Sequence, residues 1–125
     1  MRLRLIPLLA VCALAGCSKI HEQRSYSIEP GASQTLKITA PLSETRYKVA
    51  MTSDQPISIW VLLEKAVPGG KDEIEPETLK EGVLGKELNT KDATLTVVVP
   101  GKEAFRIQLA GANKTANVTV KIDSQ

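Results

Sequence analysis

Apolar and polar residues alternate with a period of two along most of the chain beyond residue 25, and this pattern limits the fold more than any other feature. Tyr26 and Ile28 alternate with serines before the turn residues Glu29-Pro30-Gly31. Leu36, Ile38 and Ala40 alternate with Thr35, Lys37 and Thr39; Tyr47, Val49 and Met51 alternate with Lys48, Ala50 and Thr52. Successive side chains of a strand point to opposite faces, so such runs mark half-buried strands with one face in a core. Ser53-Asp54-Gln55-Pro56 then reads as a polar breaker. Ile57 to Leu63 is apolar on both faces, which predicts a central strand with Trp60 covered by the segment that follows. Leu95–Val99, Phe105–Leu109 and Ala116–Ile122 alternate again, separated by Pro100-Gly101 and Gly111-Ala112-Asn113-Lys114, as in an antiparallel meander. About seven strands, with no helix long enough to cover a sheet, predict an all-β fold. The expected form is a single antiparallel β-sandwich, jelly-roll-like, with one long loop and at most one short helix; a small barrel is the alternative.

The long loop runs from Glu64 to Asp92. It holds Pro68-Gly69-Gly70, the acidic run Asp72-Glu73-Ile74-Glu75-Pro76-Glu77, and a weakly helical Pro76 to Glu81 ended by Gly82. Connections of this length in a small domain are uncommon and tend to carry function. Gly69, Gly70, Asp72, Glu73 and Glu75 are therefore the candidate partner-binding residues. The charged first part, Ala66 to Glu77, is expected to be mobile, and the apolar Leu79, Val83, Leu84 and Leu88 to fold back over Trp60.

The first sixteen residues are of a different kind. Arg2 and Arg4 precede an apolar run of about ten residues, the proportions of a secretory signal and too short for a transmembrane helix. The run ends in Leu14-Ala15-Gly16-Cys17, which resembles the lipobox of bacterial lipoproteins without departure. That resemblance implies cleavage after Gly16 and lipid attachment at Cys17, so that the chain divides into a signal peptide (1–16), a lipidated tether (17–24) and a β-sandwich domain (25–125). Ser18, where an aspartate would favour the inner membrane, implies an outer-membrane lipoprotein facing the periplasm. Two or three acyl chains on one cysteine would hold the protein without a basic patch.

Losing residues 1–16 removes two of the 16 basic residues and none of the 14 acidic ones, so the mature side chains are formally neutral. Neutrality gives no electrostatic reason to expect nucleic acid as a partner. Of the two cysteines, Cys12 leaves with the leader and Cys17 takes the lipid, so packing and not a disulfide must stabilise the domain. His21, the one histidine, lies in the tether and is read as a linker residue; with no second histidine and no free thiol, neither a catalytic triad nor a zinc site is expected. The acidic run lacks the glycine of an EF-hand calcium loop and is stiffened by Pro76, which favours a solvated loop. Trp60, Tyr26, Tyr47 and Phe105 occupy core positions, leaving no stacking platform for bases or sugars. No cofactor and no enzymatic activity are expected. Outward threonines, lysines and arginines are read as a solvated face.

The order of elements also resembles two jelly-roll-type modules, the pre-peptidase C-terminal domain and the GOLD domain. An early strand, Gly31 to Ile38, is followed by Tyr47 to Ser53, then Pro56 to Val61, a long polar loop, and a paired close ending in Val118-Thr119-Val120-Lys121-Ile122. The resemblance implies a non-catalytic adaptor or binding module. The expectation is a membrane-anchored lipoprotein that binds another envelope protein; the alternative is a periplasmic inhibitor or ligand scavenger.

Overall fold

The computed structural model describes residues 20–71 and 74–125. Six strands follow in order: β1 (His21–Ile28), β2 (Gln34–Ile38), β3 (Thr45–Leu63), β4 (Val83–Val99), β5 (Phe105–Ala110) and β6 (Ala116–Ser124). Every pairing is antiparallel. The ladder runs β1-β6-β3-β5-β2, with β4 on β3. Two strands are long enough to serve two layers. The first half of β3 pairs with β6 through Tyr47↔Ser124 to Ser53↔Val118, and its second half pairs with β5 through Ser58↔Ala110 to Leu63↔Phe105. β4 follows β3 along both halves, with register shifts between Thr52 and Ile57, between Ile57 and Ile59, and between Val61 and Leu62. The sheet thus curls at Ser53–Pro56 into two layers, β1-β6-β3-β4 and β2-β5-β3-β4. Between them one core cluster includes Val49, Met51, Ile59, Val61, Val97, Phe105, Ile107, Val120 and Ile122. The Tyr47 and Phe105 rings meet there at 4.8 Å, tilted by 50°. Burial raises the Tyr47 phenol above its ordinary pKa.

This is the all-β, sandwich-like architecture that the alternation predicts, with four differences of detail. Ser53–Pro56 does not separate two strands; it is the bend within β3. Ser53 Oγ donates to Gln55 O (2.6 Å) and accepts from Gln55 N (3.2 Å), which fixes the bend, and Pro56 sits in the register shift where a missing N–H breaks no ladder bond. Six strands replace seven for that reason. Second, Val83 to Asp92 is strand and not loop. Its exposed Lys86, Glu87 and Leu88 hide it from a periodicity reading, because an edge strand is held by backbone pairing and need bury no stripe. Third, β1 starts at His21, inside the stretch read as tether. Its pairs His21↔Asp123 to Arg24↔Val120 are backbone ladder, and only Ile28 of the strand is fully buried. Fourth, the short helix is a single 3-10 turn, Pro76–Thr78, after which Leu79 is extended.

Register places the chain's features at two ends. At one end lie Ile20, the Thr39–Glu44 connection, the β3 start, the β4 end, the Pro100–Ala104 turn and the C-terminal Ser124. The neck of the remaining long connection, residues 64–82, is there too: Leu63 N donates to Gly82 O (2.8 Å) and Glu64 N to Ala104 O (3.0 Å). At the other end are the turns around Gly31, the β3 bend, Asn89–Asp92 and Gly111–Thr115. Among the described residues no helix is long and apolar enough to cross a membrane.

Candidate functional site: a roofed outer face

Strand β5 is buried on both faces. Phe105, Ile107 and Leu109 enter the core, while Arg106 and Gln108 point to the outer face, yet both are 0% exposed. Register sets Leu62 beside Arg106 and Trp60 beside Gln108, so these four side chains form one patch on the outer surface of the second layer. Trp60, Leu62 and Val67 are buried but do not belong to the main core cluster. The cover is the connection 64–82, which carries 3-10 turns at Glu64–Ala66, Pro68–Gly70 and Pro76–Thr78 and buries Val67 and Pro76. Covering of Trp60 by the segment that follows it is what the two-faced apolar run Ile57–Leu63 implies.

The roof is pinned by the two polar residues beneath it. Arg106 Nε donates to Glu64 Oε1 (2.6 Å), its Nη2 pairs with the same carboxylate, and its Nη1 donates to Lys71 O (2.6 Å). Gln108 Nε2 donates to Ile74 O (2.9 Å). A charge-assisted hydrogen bond in a dry site is stronger than a neutral one, and a buried guanidinium needs such partners to offset its desolvation. Gln108 Oε1 has no partner among the described residues; reversing the amide would set that oxygen against Ile74 O.

This corrects three expectations. Arg106, one of the outward arginines, is not part of a solvated face. The described residues on either side of positions 72 and 73 are attached to the body and do not stand free of it: Val67 and Pro76 are buried, and the Lys71 and Ile74 carbonyls accept from Arg106 and Gln108. Leu88 does not pack over Trp60; it is 52% exposed on β4, and Leu84 packs against the main core instead. In the sequence, Arg106 and Gln108 look like the outward members of an ordinary alternating strand. The clue was Trp60-Val61-Leu62: a strand apolar on both faces requires its neighbour in the sheet to be covered as well.

Of the candidate binding residues, Gly69 and Gly70 lie exposed at the outer corner of the roof, both with φ of 63° and open space around them. Glu75 is exposed where the chain enters the Pro76 turn. Pro68, Lys71, Ile74, Glu75, Thr78 and Leu79 border a shallow cleft of about 260 Å³ on the roof. Asp72, Glu73 and Cys17 lie outside the described residues. His21 Nδ1 is 2.7 Å from Asp123 Oδ1 across the β1–β6 pair, an exposed cross-strand contact. No group of three metal-ligating side chains occurs among the described residues. At the far end, Asn117 donates to Asp54 through its backbone N–H (2.8 Å) and side-chain amide (3.0 Å), and these bonds hold the Asp54 carboxyl below its ordinary pKa.

No protein-family model and no curated protein sequence matches the chain. Solved structures do match in fold. The pre-peptidase C-terminal domain of a Bacillus anthracis collagenase superposes with a TM-score of 0.58 at 6% identity, covering 82% of this chain and 89% of that one. Aeromonas hydrophila PliG, a periplasmic inhibitor of g-type lysozyme, gives 0.56 at 12% identity over 86% and 87% of the two chains. The Yersinia pseudotuberculosis-derived mitogen gives 0.57 at 8% identity over 82% and 84%. The likeness to a pre-peptidase C-terminal domain that the order of strands suggests is thus present in the architecture. At these identities it is a likeness of fold.

Proposed function

We propose that this chain is a lipid-anchored protein of the bacterial cell envelope, held through Cys17 in the outer membrane, whose β-sandwich is a non-catalytic module binding another envelope protein. The observation that carries the binding reading is the pinned roof. A connection of this size, fixed by a buried arginine and glutamine, is a preformed surface, and a preformed surface loses little conformational entropy when a partner docks. Gly69, Gly70, Asp72, Glu73 and Glu75 are the proposed contact residues. Fold-level likeness to a periplasmic lysozyme inhibitor and to a pre-peptidase C-terminal domain is consistent with this role.

The test is affinity capture from detergent-solubilised membranes, comparing the native protein with a variant carrying Lys71→Glu, Glu75→Lys and Glu77→Lys. These side chains are exposed and the roof is held by backbone carbonyls and Glu64, so the variant should keep its melting temperature and lose its partner. Equal capture by both proteins would move the binding surface off the roof. The fold shared with a lysozyme inhibitor motivates one further arm, a panel of lysozymes assayed with and without the protein. Inhibition that the triple variant abolishes would narrow the function to the inhibitor reading.

A further inference from the structure

The largest exposure of any bulky apolar side chain among the described residues is that of Leu42, at 82%. Its position is fixed. Lys102 N donates to Pro41 O (2.7 Å), Thr45 Oγ1 donates to Ser43 O (2.8 Å), and a Cβ on Gly101 would come within 2.9 Å of Ser43 Cα, so the turn between β4 and β5 packs directly beneath the tip. The exposure is thus built into the backbone, so covering the side chain later orders only the leucine rotamer and not the turn. Ile20, Ala40, Pro41 and Leu42 border one cleft of about 240 Å³ at the end of the sandwich. Cys17 precedes Ile20 by three residues, a reach of about 10 Å at most when extended. A lipid on Cys17 would therefore bring this end, and not the opposite one, to the bilayer.

We infer that Pro41–Leu42 is a membrane-contact tip that enters the bilayer interface beside the lipidated cysteine and sets the tilt of the domain. The inference rests on the reading of Cys17 as the lipid-bearing residue. A single exposed leucine is ordinary on a protein surface; a braced one within reach of the anchor is a second attachment point. Glu44 and Lys102 are exposed on the same rim and Glu22 lines the cleft, so no excess of positive charge draws this end to the bilayer and apolar contact drives the insertion. Two attachment points restrict rotation about the anchor, and the roof, which leaves the body at this same end, is then held at a constant orientation for a partner.

The full chain would be expressed with its leader, extracted from membranes and reconstituted into vesicles of phosphatidylethanolamine and phosphatidylglycerol containing spin-labelled lipid. With Cys12 removed and Cys17 acylated, Ser43→Cys and Asn113→Cys each provide one free thiol for a fluorescent label, the first beside the tip and the second at the far end. The label at position 43 should be quenched and that at 113 should not. Adding Leu42→Asp, which disturbs no buried group, should cut quenching at position 43 about threefold or more while the protein stays on the vesicles, because the apolar contact is lost. Equal quenching at 43 and 113, or no effect of Leu42→Asp, overturns the tip while leaving the anchor in place. Mass spectrometry of Cys17 reads the anchor separately: an unmodified cysteine and a protein absent from the vesicles would refute the anchoring, and the tip with it.

Discussion

Two ion pairs on adjacent residues separate what a charge does when buried from what it does when wet. Glu64 meets an Arg106 that has no exposed side-chain surface, whereas Lys65 meets Glu103 (3.1 Å) with the lysine side chain 62% exposed. Glu64→Ala should destabilise the domain by about 1–3 kcal/mol, because it leaves a buried guanidinium with fewer partners. Lys65→Ala should cost about 0–1 kcal/mol, the usual worth of a solvent-screened pair. Denaturant melts of the two variants check the contrast, and hydrogen exchange should show residues 64–82 loosening only in the first. Asp54 offers a pH-dependent case. Its carboxylate accepts from the Asn117 backbone and side chain, so its pKa is lower folded than unfolded. The resulting stabilisation is fully present above the unfolded value of about 3.9 and is lost as pH falls through the lower folded value. The difference in melting temperature between native protein and Asp54→Ala should therefore be constant near neutrality and shrink below about pH 4.

The elements with a buried stripe were legible in the sequence. β5, β6, the first half of β3 and the second half of β4 show alternation because one face must enter the core, and the second half of β3 shows as an apolar run because both its faces are covered. The elements that were not legible are those held by backbone pairing at an edge, His21–Arg24 of β1 and Val83–Asp92 of β4, whose side chains are mostly wet. The site was half legible. Trp60 and Leu62 announced a cover, but nothing local distinguishes Arg106 and Gln108 from solvated residues, since their burial depends on a segment some thirty to forty positions away that folds over them. The glycines make the same point. Gly69 and Gly70 stood out in the sequence as a pair, yet a Cβ at either would meet open space. Gly82 closes the neck of the roof with φ of 82°, and a Cβ there would lie 2.3 Å from Ala66 Cβ. Gly82→Ala is expected to cost about 2–4 kcal/mol from left-handed strain and overlap together, against about 1 kcal/mol for Gly69→Ala. Thermal melts of the two variants order them, and a smaller effect at Gly82 would mean that the neck is loosely held.

At the scale of the molecule, the last strand is the one that unites the first layer. β6 lies between β1 and β3, pairing with β1 from Asp123 to Ala116 and with β3 from Ser124 to Val118, and it places Ala116, Val118, Val120 and Ile122 in the core. β1 by contrast touches the sheet on one side only and buries Ile28 fully. The N- and C-terminal strands therefore meet only when the whole chain is available. Topologies dominated by such distant pairing fold slowly, on the scale of about milliseconds to seconds. On the proposed reading of residues 1–16 as a secretory leader, late pairing of β6 suits a chain that is exported before it folds. Two truncations test it. Ending the chain at Thr115 removes four core side chains and leaves one edge of β3 and all of β1 unpaired, so the product should lack a cooperative melt and bind hydrophobic dye. Starting it at Ser25 removes Ile20, which is partly buried against the core, and four β1 residues whose side chains are outside it, so the product should keep a cooperative melt with a lowered midpoint. A cooperative transition in the first truncation would show that β2 to β5 form an autonomous core, and would make β1 and β6 a later addition to it.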